Sequence, residues 1–284
     1  MSTDGASLLR PSPTPTIAEL YLAFRQAKIA LYFEKRGVGL LALAAYEQEL
    51  PKNLKALQAK LVKGKWFDKV KIGEIWLVPK KLHAGDEEHD VVVRIGAPRK
   101  AAAGRPVDVQ LRLSPHPEFA IVEVLYLWRF GGHLDALLSK KAVLGYRLDL
   151  RQRQVVPHRR WLFEYWPKRY QAFRAAPLAA AKNALKRGEE TLIISGDLAS
   201  FYDTIEPSFM TSDQLLTALV EKGAQQQDVD EYKLATRSLL RAYERFRKEA
   251  SRRAATPVNL GVPIGALTSR VVANLSLAPL DRHV

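Results

Sequence analysis

The chain of 284 residues has no cysteine, which excludes disulfides, thiolate zinc sites and cysteine nucleophiles. Acidic residues are in short supply: 30 Asp and Glu stand against 44 Lys and Arg, a formal charge of +14. Such a surplus suits a polyanionic partner. The 6 histidines are scattered without ligand spacing, and no G-x-x-x-x-G-K-(S/T) phosphate loop occurs. No uninterrupted apolar run approaches the length of a membrane span. Met1 to Thr16 is rich in Ser, Thr and Pro and lacks the apolar core of a signal peptide. These absences predict a cytoplasmic protein without a membrane segment, with residues 1–16 as a disordered leader.

What is present is enough for a substantial interior. Hydrophobic residues make up 47% of the chain, ample for one large domain or two. Apolar periodicity predicts helices over Ile17 to Lys35, Leu40 to Lys63 with a break near Pro51, Phe119 to Leu138, Glu164 to Arg187 with breaks or bends at Pro167 and Pro177, Ser208 to Lys222, and Asp228 to Arg253. Trp66 to Pro79 alternates around Gly73 as a hairpin would. Lys80 to Asp90 reads as a charged loop, Val91 to Ile95 as a strand, and Ala101 to Gly104 with its basic neighbours as a flexible loop.

Two segments carry chemistry. In the first, Thr191 to Ser195 reads as a short buried strand, and Gly196 and Asp197 sit where it emerges. A carboxylate at a strand end suits a hard cation such as magnesium, which prefers oxygen ligands; two such ions can clamp the attacking and leaving oxygens of a phosphoryl transfer. The same residues also fit a plainer reading, in which Asp197 caps the next turn while Phe201 and Tyr202 fill core. In the second segment, Asn259 to Ala266, two glycines and a proline fix a tight loop whose backbone can approach a ligand. An amphipathic helix follows, with Leu267, Val271, Val272 and Leu275 at helical spacing.

In this order and spacing the two segments resemble the reverse transcriptases, whose palm carries D-x-x-x-F-(F/Y)-D followed by G-x-P-x-G…S. The resemblance implies a helix-rich α+β fold of the right-hand polymerase type, with residues 17–188 as fingers and 189–284 as a partial palm. It implies that Asp197 and the Leu198 carbonyl bind a catalytic Mg²⁺ (or Mn²⁺), and that Tyr202 packs under the sugar and selects deoxynucleotides. Pro263, Ile264 and Gly265 match the loop that touches nucleotide and template. Many family members have glutamine where Ile264 stands; the P-I-G form followed by Ser269-Arg270 is similar to the bacterial abortive-infection, antiviral-defence enzymes, some of which make DNA with little template guidance. Gly145-Tyr146-Arg147 resembles a fingers segment in which Arg147 would contact a triphosphate or template strand.

Basic residues cluster twice. Arg147, Arg151, Arg153, His158, Arg159 and Arg160 lie near Trp161, Phe163 and Tyr165, and Arg237, Arg241 and Arg245 recur every four residues along one helical face. Arg159, Arg160, Arg241 and Arg245 are the candidate nucleic-acid contacts, giving salt-sensitive, sequence-independent binding; each cluster also fits a solvated helix face.

The family's Y-x-D-D hairpin and thumb are absent from the sequence. One carboxylate cannot hold two divalent ions, so the chain alone is expected to be inactive, with a C-terminal continuation or a second chain supplying the remaining carboxylates. The expected function is RNA-directed or template-independent DNA polymerisation on a template-primer with deoxynucleoside triphosphates. The alternative is a non-catalytic nucleic-acid-binding subunit or remnant.

Overall fold

The computed structural model describes residues 14–33, 37–62, 65–82, 107–140, 142–157, 159–194, 196–198, 200–254 and 257–282. The strand expected at Val91 to Ile95, the loop at Ala101 to Gly104, and nearly all of the leader lie outside the described residues. The architecture is helix-rich α+β with two small antiparallel sheets.

Three helices come first: α1 (Ile17–Phe33), α2 (Gly37–Gln48) and α3 (Leu50–Lys60). A capping box starts α1: the Glu19 N–H donates to Thr16 Oγ1 at 3.2 Å and the Thr16 N–H donates to the Glu19 carboxylate at 2.7 Å. Pro51 lies in the first turn of α3, where its missing N–H costs nothing, so the expected break is a junction between two helices. Strands β1 (Gly73–Leu82) and β2 (Val107–Pro115) then pair antiparallel, Ile75 opposite Leu113 and Leu77 opposite Leu111. This corrects the hairpin expected within Trp66 to Pro79. Trp66 and Phe67 are instead buried in a turn, and the partner of Gly73 to Pro79 comes from a distant segment.

The helix α4 (Pro117–Asp135) forms the centre. It is apolar around most of its circumference and buried along nearly its whole length, as such a helix must be. Against it pack α1, the long α8 (Gln226–Ala254) through Tyr126 and Tyr232, and α9 (Leu267–Leu277). Phe67, Phe119, Tyr126, Phe130 and Tyr232 meet there edge to face or tilted, with ring geometries that add to simple burial. One contiguous core runs from Leu20 to Ala278. A two-residue hairpin, β3 (Leu150–Arg151) and β4 (Gln154–Val155), lies over the C-terminal half of α4.

The remaining elements are α5 (Trp166–Lys186), the single turn α6 (Phe201–Thr204), a 3₁₀ turn at Pro207–Thr211 and α7 (Asp213–Glu221). Pro167 begins α5 and Pro177 lies within it, yet the helix is continuous. Phe173 and Pro177 are exposed, so water can serve the carbonyl that the proline leaves without a donor. The strand expected at Thr191 to Ser195 does not form. Residues 191–194 have no regular structure, and Leu192 and Ile194 are 83% and 84% exposed. No strand lies beside them among the described residues, and a lone strand cannot satisfy its own backbone.

Candidate functional site

The two motif segments meet. The Gly261 N–H donates to the Ile205 carbonyl and the Val262 N–H to the Tyr202 carbonyl, each at 2.9 Å. Gly261 is required for this approach: a Cβ on it would stand 2.9 Å from the Asp203 carbonyl oxygen, and its φ of +99° is one that side chains disfavour. Ile205 and Met210 are buried beneath α6, and the Tyr232 hydroxyl of α8 donates to the Met210 carbonyl at 2.8 Å.

The 262–266 loop also joins the sheet, since the Leu113 N–H donates to the Ile264 carbonyl at 2.7 Å. A cleft of about 540 Å³ opens where these pieces converge. Gln110 and Arg112 of β2, Tyr202 of α6, Ile264, Gly265, and Arg270 of α9 line it together with Tyr146, Trp161 and Phe163. It is of ligand size, with an apolar and aromatic lining carrying a few polar groups.

Arg270 and Tyr146 set the character of the aromatic wall. The guanidinium lies over the Tyr146 ring at 4.8 Å and the Phe163 ring at 5.1 Å, a cation–π arrangement. Burial pushes its pKa down to about 10, so it stays cationic at neutral pH. Tyr146 has φ +50°, a left-handed conformation costing roughly 1 kcal/mol or more for such a residue. Asn274 of α9 braces it by donating to the Gly145 carbonyl at 2.9 Å.

Beneath the loop lies a buried polar network. Glu123 of α4 is 0% exposed and accepts from the Thr268 N–H at 2.9 Å and the Thr268 hydroxyl at 2.6 Å. This places a carboxylate at the N-terminus of α9, where the helix dipole favours negative charge. The Tyr243 hydroxyl of α8 is 2.7 Å from Thr268 Oγ1, and Ser269 Oγ donates to it at 3.3 Å. Burial, with the Glu123 charge adding to it, pushes the Tyr243 phenol far above its ordinary pKa. The network ties the start of α9, and with it the loop, to the most buried helix.

The other predicted residues are distributed differently. Asp197 and Leu198 are exposed and do not line the cleft. The Arg147 guanidinium is buried and committed to Asp135, at 2.9 Å from Nε and 2.6 Å from Nη2, with Nη1 on the Ser139 carbonyl; the structure gives it the work of joining the end of α4 to the next segment. Arg159 pairs with Asp149, while Arg160 is exposed with its guanidinium over the Trp161 ring at 5.1 Å. Arg241 holds Asp68 at 2.8 Å and 3.0 Å, and Arg245 donates to the Phe67 carbonyl at 2.7 Å. Arg247 reaches the Gly261 carbonyl and Arg253 the Ile75 carbonyl. Much of the basic face of α8 therefore braces the 65–68 turn, β1 and the motif loop.

No family model, curated protein or solved structure matches this chain.

Among the described residues no group of three or more His, Asp or Glu could hold a metal ion. The described residues do not make a magnesium centre, since Asp197 is exposed and belongs to no cluster of three such groups among them. Motif reading passed over Gln110 and Arg112. Their signal is in the sequence: Val107, Val109, Leu111 and Leu113 alternate with Asp108, Gln110, Arg112 and Ser114, the period of a strand that puts both polar residues on one face. Arg112 Nε donates to Gln110 Oε1 at 2.8 Å on that face.

Proposed function

We propose that the chain forms the fingers and first palm portion of a reverse-transcriptase-type nucleotidyltransferase of bacterial anti-phage defence, completed by carboxylates from a continuation or a second chain. The observation that carries this reading is the backbone pairing of the 202–205 segment with 261–262, which brings Tyr202 and the Ile264-Gly265 turn into one cleft with Arg112. A deoxynucleoside triphosphate fits the cleft by chemistry. The aromatic lining suits a base, Tyr202 on the cleft wall would exclude a 2′-hydroxyl, and the Arg112 guanidinium suits phosphate oxygens. RNA or DNA template-primer would approach from the basic surface. Magnesium or manganese would supply charge neutralisation at the transferring phosphate, and would need more carboxylates than the described residues bring to Asp197.

The test uses the protein together with whatever completes it. Labelled deoxynucleotides should be incorporated in magnesium, Asp197→Asn should abolish incorporation while nucleic-acid binding persists, and Tyr202→Ala should admit ribonucleotides. Undiminished synthesis by Asp197→Asn would remove that residue from the active site. A second reading, a non-catalytic nucleic-acid-binding subunit, is favoured by the exposure of residues 191–194 and 196–198. It predicts binding without incorporation in every combination.

A further inference from the structure

A second cleft, of about 520 Å³, shares Glu164 with the first. Lys140, Arg147, Arg153, Arg169 and Lys222 line it with only two carboxylates, Asp135 and Glu164. Arg147 is spent on Asp135, and Arg169 pairs through Nε with Glu164, so two of the five cations are matched by the two carboxylates. Lys140, Arg153 and Lys222 make no ion pair or side-chain hydrogen bond among the described residues. Three full positive charges are thus gathered at one concave surface. The C-termini of α4 and α7 also face it, but each contributes only about half a negative charge, so the cations prevail.

The placement of Arg153 is costly. Gln152 and Arg153 have φ of +47° and +63°, the pair of left-handed residues that a two-residue hairpin turn demands and that Asn-Gly ordinarily fills. The strained turn is pressed onto α4 at Gly132, where a Cβ would come within 2.0 Å of the Arg153 carbonyl oxygen. The main chain at Arg153 is therefore fixed against the wall of the cleft, and strain held in place by its surroundings is a mark of functional positions. No Phe, Tyr or Trp lines this cleft. It has nothing on which a base could stack, unlike its neighbour.

We propose that this second cleft is a phosphate-chain site, in which Lys140, Arg153 and Lys222, with the outer edge of Arg169, hold successive phosphates without reading bases. A free polyphosphate and the backbone of a single nucleic-acid strand present the same chemistry. The site stands apart from the polymerase reading, because it needs neither Asp197 nor a completed palm.

The test is binding of labelled oligodeoxythymidylate by the full chain across a salt series, with inorganic tripolyphosphate as competitor. Lys140→Gln/Arg153→Gln/Lys222→Gln should weaken binding about tenfold or more and make the salt slope shallower by about 2, since each lost single-strand phosphate contact removes about 0.7. A control variant of equal charge, Lys52→Gln/Lys55→Gln/Lys65→Gln, should change little. Arg153→Gly separates folding from binding, because it relieves the backbone while deleting the cation: it should melt higher and bind more weakly. Competition by tripolyphosphate that is lost in the triple variant identifies a free phosphate chain as a ligand. Selective loss of oligonucleotide binding without such competition assigns the site to the strand backbone. Equal weakening by the control variant, or undiminished binding by the cleft variant, overturns the proposal.

Discussion

The interior around α4 and the limb formed by residues 166–198 are built on opposite terms. In the interior the groups around the start of α9 and the end of α4 are committed: Glu123 to Thr268, Thr268 to Tyr243, and Arg147 to Asp135. Along the limb, Tyr170, Phe173, Leu178, Leu185, Leu192 and Ile194 are all exposed. Yet each region carries one of the two motif segments. The loop of the second is seated in the core and already shaped, whereas the approach to Asp197 in the first is exposed and has no regular structure among the described residues. A motif segment takes its structure from what it can pack against, and its local pattern only nominates it.

The largest loss is expected at Glu123. Replacing it with Ala should strip the Thr268 N–H and hydroxyl of their acceptor and cost about 3 kcal/mol, at 1–3 kcal/mol for each buried group left unsatisfied; Glu123→Gln, which keeps an acceptor oxygen, should cost less. Urea unfolding measures both, and equal losses would mean that the charge at the helix N-terminus matters more than the acceptor.

Next in size is Gly261→Ala. The close contact and the positive φ together should cost on the order of 1–3 kcal/mol. More informative is where the cost falls, because hydrogen exchange should rise at Val262 while the centre of α4 stays protected.

A smaller effect, visible in pH, sits at the brace between α8 and the 65–68 turn. Partial burial alone would raise the Asp68 pKa, but the hydrogen bonds from Arg241 and Ser238 outweigh it and hold the carboxyl below its ordinary value. A depressed folded pKa means stability that is complete above the unfolded value, near about 4, and lost as pH falls through the folded one. Asp68→Asn should flatten that acid limb, as thermal melts between neutral and strongly acid pH would reveal.

The smallest change is expected on the limb. Leu192→Ser with Ile194→Ser should leave the stability of this chain within about 0.5 kcal/mol, as for surface positions generally, and should lower its tendency to self-associate. A large loss of stability would mean that the segment is packed after all.

What the sequence disclosed follows the same division. Helices α1, α4 and α8 were legible because their apolar periodicity records burial on one or all faces, and Pro51 marked a junction because proline ends or begins helices wherever it falls. Strand β1 was misjudged because its partner lies beyond a long intervening segment, and pairing at that distance leaves no local trace. The resemblance nominated Tyr202, Ile264 and Gly265, which come to one cleft, and Arg112 of the same cleft lay hidden in an alternation that carries no motif. The stripe Arg237, Arg241 and Arg245 could not reveal that Asp68 and the Phe67 carbonyl await two of its members.

The bond from Thr268 to Glu123 spans 145 residues, and that from Arg245 to the Phe67 carbonyl spans 178. Contacts of such separation form late, after the entropy of closing long loops has been met. During synthesis at about 5–20 residues per second, the 145 residues between Glu123 and Thr268 take roughly 7 to 30 s to appear. For that interval α4, the most extensively buried helix of the finished fold, has emerged without α9, and for most of it without α8. The cell must therefore tolerate a nascent chain whose central helix waits with only its α1 side covered, and chaperone demand and inclusion-body formation on overexpression should track that delay.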